Sequence, residues 1–412
     1  MHVAPCGVLS VGSVAAEGNP ESQKLQSNNN SSNSNSNNAV PTPSRGAMPM
    51  TDSQSVRTTP ARYASVDALR GITVAAMLLV NNPGTWSHVY APLEHAEWNG
   101  CTPTDLVFPF FLVIVGVSIG LGVVPRVEHG ADRAALTRTV LVRALRIVGL
   151  GMLLHLLAWW WLDLAHYRPL GVLQRIGVCF AVVGTMAIWL RANAQRACLL
   201  LLLGGYAALL AAGGTLEPWH NLPSRVDTVL FGDMAYKYDA ATGLGHDPEG
   251  LLSTLGALAS TLIGLRAGAL LRSGRPALLL LAAAVLLALG ALWAMWQPLN
   301  KNLWTPSYVL WTAGWALAAL WLAHLLIDRV QWPPLGRRFG ANAITAYAGS
   351  GVMVLAMLGT GSWGWLYANV FDRWITPLAG AEAASLAMAV AFVAVWWLPV
   401  WWLDRRRIYL KI

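Results

Sequence analysis

Residues 65–120 read SVDALRGITVAAMLLVNNPGTWSHVYAPLEHAEWNGCTPTDLVFPFFLVIVGVSIG, and their pattern decides the fold. An apolar segment of bilayer length closes at Asn81-Asn82-Pro83. A second opens at Asp105 and runs on without a charge. A stretch of this kind that spans a membrane must satisfy its backbone internally, which selects the α-helix. Between the two segments lies a loop, about 84–104, carrying His88, Glu94, His95, Glu97, Trp98 and Asn99. Such side chains bind sugars or move protons, and a plain connector has no need of them.

The rest of the chain repeats the first half of this pattern. Apolar stretches of spanning length recur near 66–83, 105–124, 140–162, 170–190, 197–214, 251–271, 276–296, 306–327, 340–360 and 382–403, which predicts an all-α polytopic membrane protein of about ten helices. Composition agrees: 55% of the residues are hydrophobic, only 12% are charged, and 21 are Trp, so a chain of 412 residues is not a set of soluble domains. The net charge of +8 does not point to nucleic acid, because the basic residues sit at the ends of apolar segments. Arg126, Arg133 and Arg138, then Arg191 and Arg196, Arg272 and Arg275, Arg329, Arg337 and Arg338, and finally Arg405 to Arg407 follow the even-numbered spans. That asymmetry puts both termini in the cytoplasm and the loops at about 84–104 and 215–250 outside.

Residues 1–61 read as a disordered Asn/Ser-rich tail, with Met48 and Met50 as alternative starts, and 62–412 as one transmembrane domain. No basic segment precedes an apolar one at the start, so no cleaved signal peptide is expected. The cysteines at 6, 101, 179 and 198 have neither the spacing of a metal site nor that of a disulfide framework, and no metal is expected. Two spans open alike, Thr102-Pro103-Thr104-Asp105 and Thr305-Pro306-Ser307-Tyr308, where a Thr hydroxyl before Pro suits a helix start. Gly116-x-x-x-Gly120 and Gly264-x-x-x-Gly268 suit close helix packing.

Ionisable groups inside spans need a partner or a wet cavity. Asp67 and Arg70, three apart, either pair with each other or leave Arg70 to meet an anionic ligand from the cytoplasm. Asp105 is either a helix cap or a site residue. Arg175, beside Gln174, has Asp105, Asp247 and Glu249 as alternative partners. Acyl transfer requires a group to take the acceptor's proton and another to steady an oxyanion. His95, with carboxylates, Trp98 and Asn99 close by, suits the first task, though a loop His is commonly only solvated.

Several motifs in order, Ser65-Val66-Asp67-Ala68-Leu69-Arg70-Gly71, Val80-Asn81-Asn82-Pro83-Gly84, His95-Ala96-Glu97-Trp98-Asn99-Gly100, Thr104-Asp105-Leu106-Val107-Phe108-Pro109, Gly171-Val172-Leu173-Gln174-Arg175, Asp247-Pro248-Glu249, Lys301-Asn302-Leu303-Trp304 and Asn342-Ala343-Ile344, resemble the heparan-α-glucosaminide N-acetyltransferase family and its bacterial relatives. The resemblance implies a bacterial inner-membrane enzyme that moves acetyl from cytoplasmic acetyl-CoA to an amino sugar outside. It implies that His95 is the catalytic base or acetyl carrier, and that Asn81 assists it. Trp98, Asn99, Asp105, Arg175, Asp247, Glu249, Lys301 and Trp304 are then candidates for the acceptor site. Asp67, Arg70 and Asn342 are candidates for the acetyl-CoA end. A homodimer is compatible with the sequence. The alternative is a membrane transporter for an amino sugar, in which the same polar residues bind substrate without acyl chemistry.

Overall fold

The computed structural model describes residues 63–410; the tail at 1–61 lies outside them. The described residues are mostly helical: α1 (Ala64–Asn81), α2 (Val107–Gly122), α3 (Val124–Glu128), α4 (Arg133–Trp161), α5 (Val172–Trp189), α6 (Ala192–Ala212), α7 (Leu222–Phe231), α8 (Ser253–Arg272), α9 (Ala277–Trp293), α10 (Pro306–Ala323), α11 (Arg337–Ala341), α12 (Ala343–Gly359), α13 (Ser362–Leu366), α14 (Arg373–Ala379) and α15 (Ala381–Arg405). Among the described residues, eight helices are long and apolar enough to cross a membrane. Each expected span falls on one of these eight or on one of two irregular elements. One is α9, with 17 residues. The other is α12, which breaks by 86° into a second apolar helical segment, Ser362–Ala379. That second segment was not expected; Gly359-Thr360-Gly361 separates it from α12, and Gly361 makes the turn at φ +69°.

Burial sorts the helices. In α8, 67% of the spanning window is buried, against 22% in α4 and α6. So α8 is central, while α4 and α6 turn residues such as Leu145, Trp160, Leu200 and Leu201 outward, as helices facing lipid chains do. The closest packing follows the glycines. A Cβ on Gly116 would strike the Thr261 carbonyl, and one on Gly264 the Val113 carbonyl, so α2 and α8 touch backbone to backbone. Likewise α1 crosses the α11 segment at Gly71, Gly336 and Gly340.

Both ends of the described chain lie at one end of the bundle. The Tyr63 hydroxyl donates to the carbonyl of Leu271 at the close of α8 (3.0 Å). Arg337 and Arg338 flank Asp404, which ends α15. The opposite end carries the 82–104 loop and a folded segment between α6 and α8, in which Asn221 caps α7 by accepting from Ser224 N. There Lys237–Asp239 and Leu244–His246 pair as a small antiparallel hairpin, the one sheet among the described residues.

The two Thr-Pro starts differ. Thr102 Oγ1 accepts from Asp105 N (3.4 Å) while Asp105 Oδ2 accepts from Thr102 N (3.0 Å), a reciprocal cap. Thr305 caps nothing with its side chain. Its hydroxyl instead donates to the Pro298 carbonyl and accepts from Asn300 N, pinning the preceding turn.

Candidate active site

The 82–104 loop is anchored at several points. Gly100 N donates to the Leu299 carbonyl (2.7 Å), Asn300 Nδ2 to Asn99 Oδ1 (3.1 Å) and Trp98 Nε1 to the Leu216 carbonyl (2.9 Å). These ties join three segments far apart in sequence and set His95 over the start of α2.

At that point the cap residue becomes a site residue. Asp105, with 0% side-chain exposure, places Oδ1 2.7 Å from His95 Nδ1. Its Oδ2 accepts from Ala96 N (3.1 Å), Thr102 N (3.0 Å) and Thr102 Oγ1 (3.1 Å). Its backbone carbonyl accepts from Tyr308 OH (2.5 Å). An ionised carboxylate only accepts, so the proton between them sits on Nδ1 and the lone pair is on Nε2. Lys301 Nζ lies 2.9 Å from Nδ1 and 3.0 Å from Nε2 of His95, and 3.6 Å from Asp105 Oδ1. The three form one charged cluster, 9% exposed at Lys301. Cys101 stands beside them, but burial, with the Asp105 charge added, pushes its thiol up to about 12, so it is a poor nucleophile near neutrality.

His95 and Lys301 line a cavity of about 590 Å³ with Asn81, the last residue of α1, and Glu249. From the folded segment at 233–240 the cavity descends between α1, α4, α5 and α12 to Tyr347. On α12 the lining runs from Leu355 to Tyr347, so the cavity follows that helix for about 12 Å.

Beside it Arg168 clamps two carboxylates. Nε donates to Asp247 Oδ2 (2.9 Å), and Nη2 to Asp247 Oδ1 (2.6 Å) and Glu249 Oε2 (2.5 Å). Its guanidinium lies over the Tyr236 ring, 4.3 Å from the centroid. Burial would raise Asp247, yet Arg168 holds it below the usual carboxylate range. Arg168, rather than Arg175, is therefore the partner of Asp247 and Glu249. Among the described residues Arg175 forms no ion pair: it donates to Ser253 Oγ and the Gly250 carbonyl, with its guanidinium 5.1 Å from the Trp304 ring centroid. The reason is directional. Arg175 is already inside α5 and faces α8, whereas Arg168 precedes the helix on an extended connection free to turn toward the cavity.

Trp304 is 1% exposed and packs edge-on against Phe108 and Tyr308, so it is core and offers no face to a ligand. Trp98 meets His246 edge-on, and Asn99 is exposed; neither lines the cavity. Asp67, Arg70 and Asn342 sit at the far end of the bundle. Arg70 pairs with Asp67 (3.0 Å) and reaches Ser118 (2.7 Å), while Asn342 is buried beside Leu410. Arg70 and Asn81 are eleven residues apart on α1, about 16 Å. Among the described residues no cluster of three or more His, Cys, Asp or Glu is placed to hold a metal.

The family model described as heparan-alpha-glucosaminide N-acetyltransferase, catalytic, matches residues 62–229, which include Asn81, His95, Asp105, Arg168 and Arg175. The chain is similar to the heparan-alpha-glucosaminide N-acetyltransferases. The human one is 26% identical over an alignment covering 86% of this chain and 60% of that protein. The mouse one is 25% identical, covering 85% and 60%. The chain thus spans about 60% of the length of these relatives. The segment that supplies Asp247, Glu249 and Lys301 lies beyond the part matched by the N-acetyltransferase family model.

Proposed function

We propose that this protein is a transmembrane N-acetyltransferase that moves the acetyl group of acetyl-CoA, entering from the cytoplasm, to the amine of an amino sugar on the opposite face of a bacterial inner membrane. The observation that carries the reading is the His95–Asp105–Lys301 cluster at the wall of a cavity running deep between α1, α4 and α12. The similarity to enzymes named heparan-alpha-glucosaminide N-acetyltransferases supports the reaction class. The Arg-rich connections at the end where the described chain begins and finishes support a cytoplasmic location for that end.

In direct transfer the acceptor nitrogen attacks the thioester carbonyl carbon, the C–S bond breaks, and the amine's proton passes to Nε2 of His95 and on to the thiolate. Asp105 keeps Nδ1 protonated, which leaves Nε2 as the base, and steadies the imidazolium that forms. Lys301 gives up Nε2 when the acceptor arrives and turns toward the developing oxyanion. Asn81 offers its amide from the end of α1 to the same carbonyl. In transfer through an acetyl carrier the same Nε2 attacks the thioester instead. Glu249, held by Arg168 on the cavity wall, faces the ammonium form of the acceptor.

Sugar transport would rest on half-helices meeting near the bilayer midplane. The 86° break here falls after the complete Ala343–Gly359 helix. The deciding experiment gives purified protein labelled acetyl-CoA and a panel of glucosamine-containing acceptors, with His95→Ala in parallel. Label on an acceptor, lost in the variant, supports the proposal; acetyl-CoA that neither binds nor turns over excludes it.

A further inference from the structure

At the end of the bundle remote from His95, α3, the starts of α4 and α6 and the ends of α5 and α8 surround a second groove of about 420 Å³. Arg133, Arg191, Arg266 and Arg272 line it, with Glu128 and Trp189. Arg272 is accounted for, since both terminal nitrogens donate to Glu128 (2.8 and 2.7 Å). The other three have no carboxylate within 4.0 Å among the described residues. Arg266 donates to the Gln195 amide oxygen (3.1 Å), and Arg133 lies 5.7 Å from the Trp189 ring centroid. Three guanidinium groups without a carboxylate partner among the described residues therefore line one groove, a donor set matched to the oxygens of a phosphate ester.

The surroundings separate this groove from the reaction cavity. Ile119, Leu136, Val140, Phe180, Val183 and Leu262 pack a buried apolar layer between α2, α4, α5 and α8, and the two cavities share no lining residue. A nucleotide resting in the groove would be separated from His95 by that apolar layer. The groove does lie beside outward-facing apolar surface: α6, which contributes Arg191 and Gln195 at its start, turns Leu200 and Leu201 outward about two turns further on. Trp189 at its rim has the place of an interfacial aromatic.

We propose that this groove holds the phosphodiester headgroup of an anionic membrane phospholipid, with the acyl chains lying along α6. The one carboxylate in the lining is already committed to Arg272, so the site has nothing to balance a choline and selects against a zwitterionic head. Basic pockets between helices at the cytoplasmic side suit such headgroups.

The test is native mass spectrometry of the full-length, detergent-solubilised protein titrated with phosphatidylglycerol or phosphatidylcholine. The pair R191Q/R266Q is compared with R275Q/R407Q, two arginines that do not line the groove. R191Q alone, at an exposed position, guards against misfolding of the pair. The expected result is a retained phosphatidylglycerol adduct in wild type and in R275Q/R407Q, weakened about thirtyfold in R191Q/R266Q and by an intermediate factor in R191Q. Equal weakening in both pairs, or in neither, overturns the proposal. Coenzyme A and inorganic phosphate form the soluble arms. If either binds in wild type, is lost in R191Q/R266Q, and phosphatidylglycerol forms no adduct, the groove is a soluble-phosphate site and the lipid assignment is wrong.

Discussion

Asp105→Asn is the most informative single change, because the two carboxylate oxygens have different duties. Oδ2 faces two backbone N–H groups and a hydroxyl, whereas Oδ1 faces only His95 Nδ1 and, further off, Lys301. In D105N the amide oxygen must stay on the Oδ2 side, since an NH2 there would confront two donors, each left unmet at about 1–3 kcal/mol. The NH2 therefore faces His95 and donates to Nδ1, which moves the ring proton to Nε2 and removes the base. The side chain keeps its size, but the nearly buried Lys301 loses its carboxylate, so some loss of stability is expected beside the loss of rate. Loss of general-base assistance is worth about 10²–10⁴ in rate, or about 3–5 kcal/mol of barrier. The assay is acetyl transfer from labelled acetyl-CoA under saturating acceptor, with the midpoint of thermal unfolding measured alongside. The expected result is a collapse of kcat with KM for acetyl-CoA nearly unchanged. If D105N folds and transfers acetyl at the wild-type rate, the tautomer argument is refuted and His95 does not act through Nε2.

Other perturbations separate the site from its scaffold. Arg168→Met leaves two buried carboxylates without their cation and lowers stability by about 3–5 kcal/mol, read as a drop in unfolding midpoint; an unchanged midpoint would show that Asp247 and Glu249 are held otherwise. Gly264→Ala forces a methyl against the Val113 carbonyl and costs about 1–3 kcal/mol by the same assay. Asp227, in the outer segment, is raised to about 7 by burial. A raised acid favours the fold while neutral, so its penalty is absent below about 4, grows through the interval and is complete above 7. Asp227→Asn should therefore raise the unfolding midpoint at pH 8 and leave it unchanged at pH 4; an equal effect at both would show that ionisation is not the cause. His246, lowered to about 4 by burial, favours the fold while neutral, and that stabilisation is lost as pH falls from about 6.5 to 4. His246→Gln should flatten acid unfolding of the outer segment, followed by Trp98 and Trp219 fluorescence.

The spans were legible because a helix in lipid must be apolar over a fixed length, and α1, α2 and α8 show that plainly. The pairing of His95 with Asp105 was within reach, since the two are ten residues apart and the second is a cap at a helix start. Lys301 was expected only as one acceptor-site candidate among several. Its contact with His95 joins positions 206 apart, and no local pattern reports such a meeting. Arg168 was missed for a physical reason. A basic residue just outside a span reads as an orientation charge, and only the folded connection shows it turned onto Asp247 and Glu249. Trp304 misled in the opposite sense: a Trp opening a span beside Lys301 reads as a platform for a sugar, whereas here Arg175 and Ser260 hold the indole inside.

Under the proposed function, acetyl transfer across the membrane depends on His95. The most direct test is proteoliposomes with labelled acetyl-CoA supplied only on the side bearing the Arg-rich connections and a glucosamine acceptor only on the other. Labelled acceptor is expected with wild type and none with His95→Ala in equally folded protein. Labelled acceptor at wild-type levels with His95→Ala, or label appearing only when both reactants share one side, would contradict it.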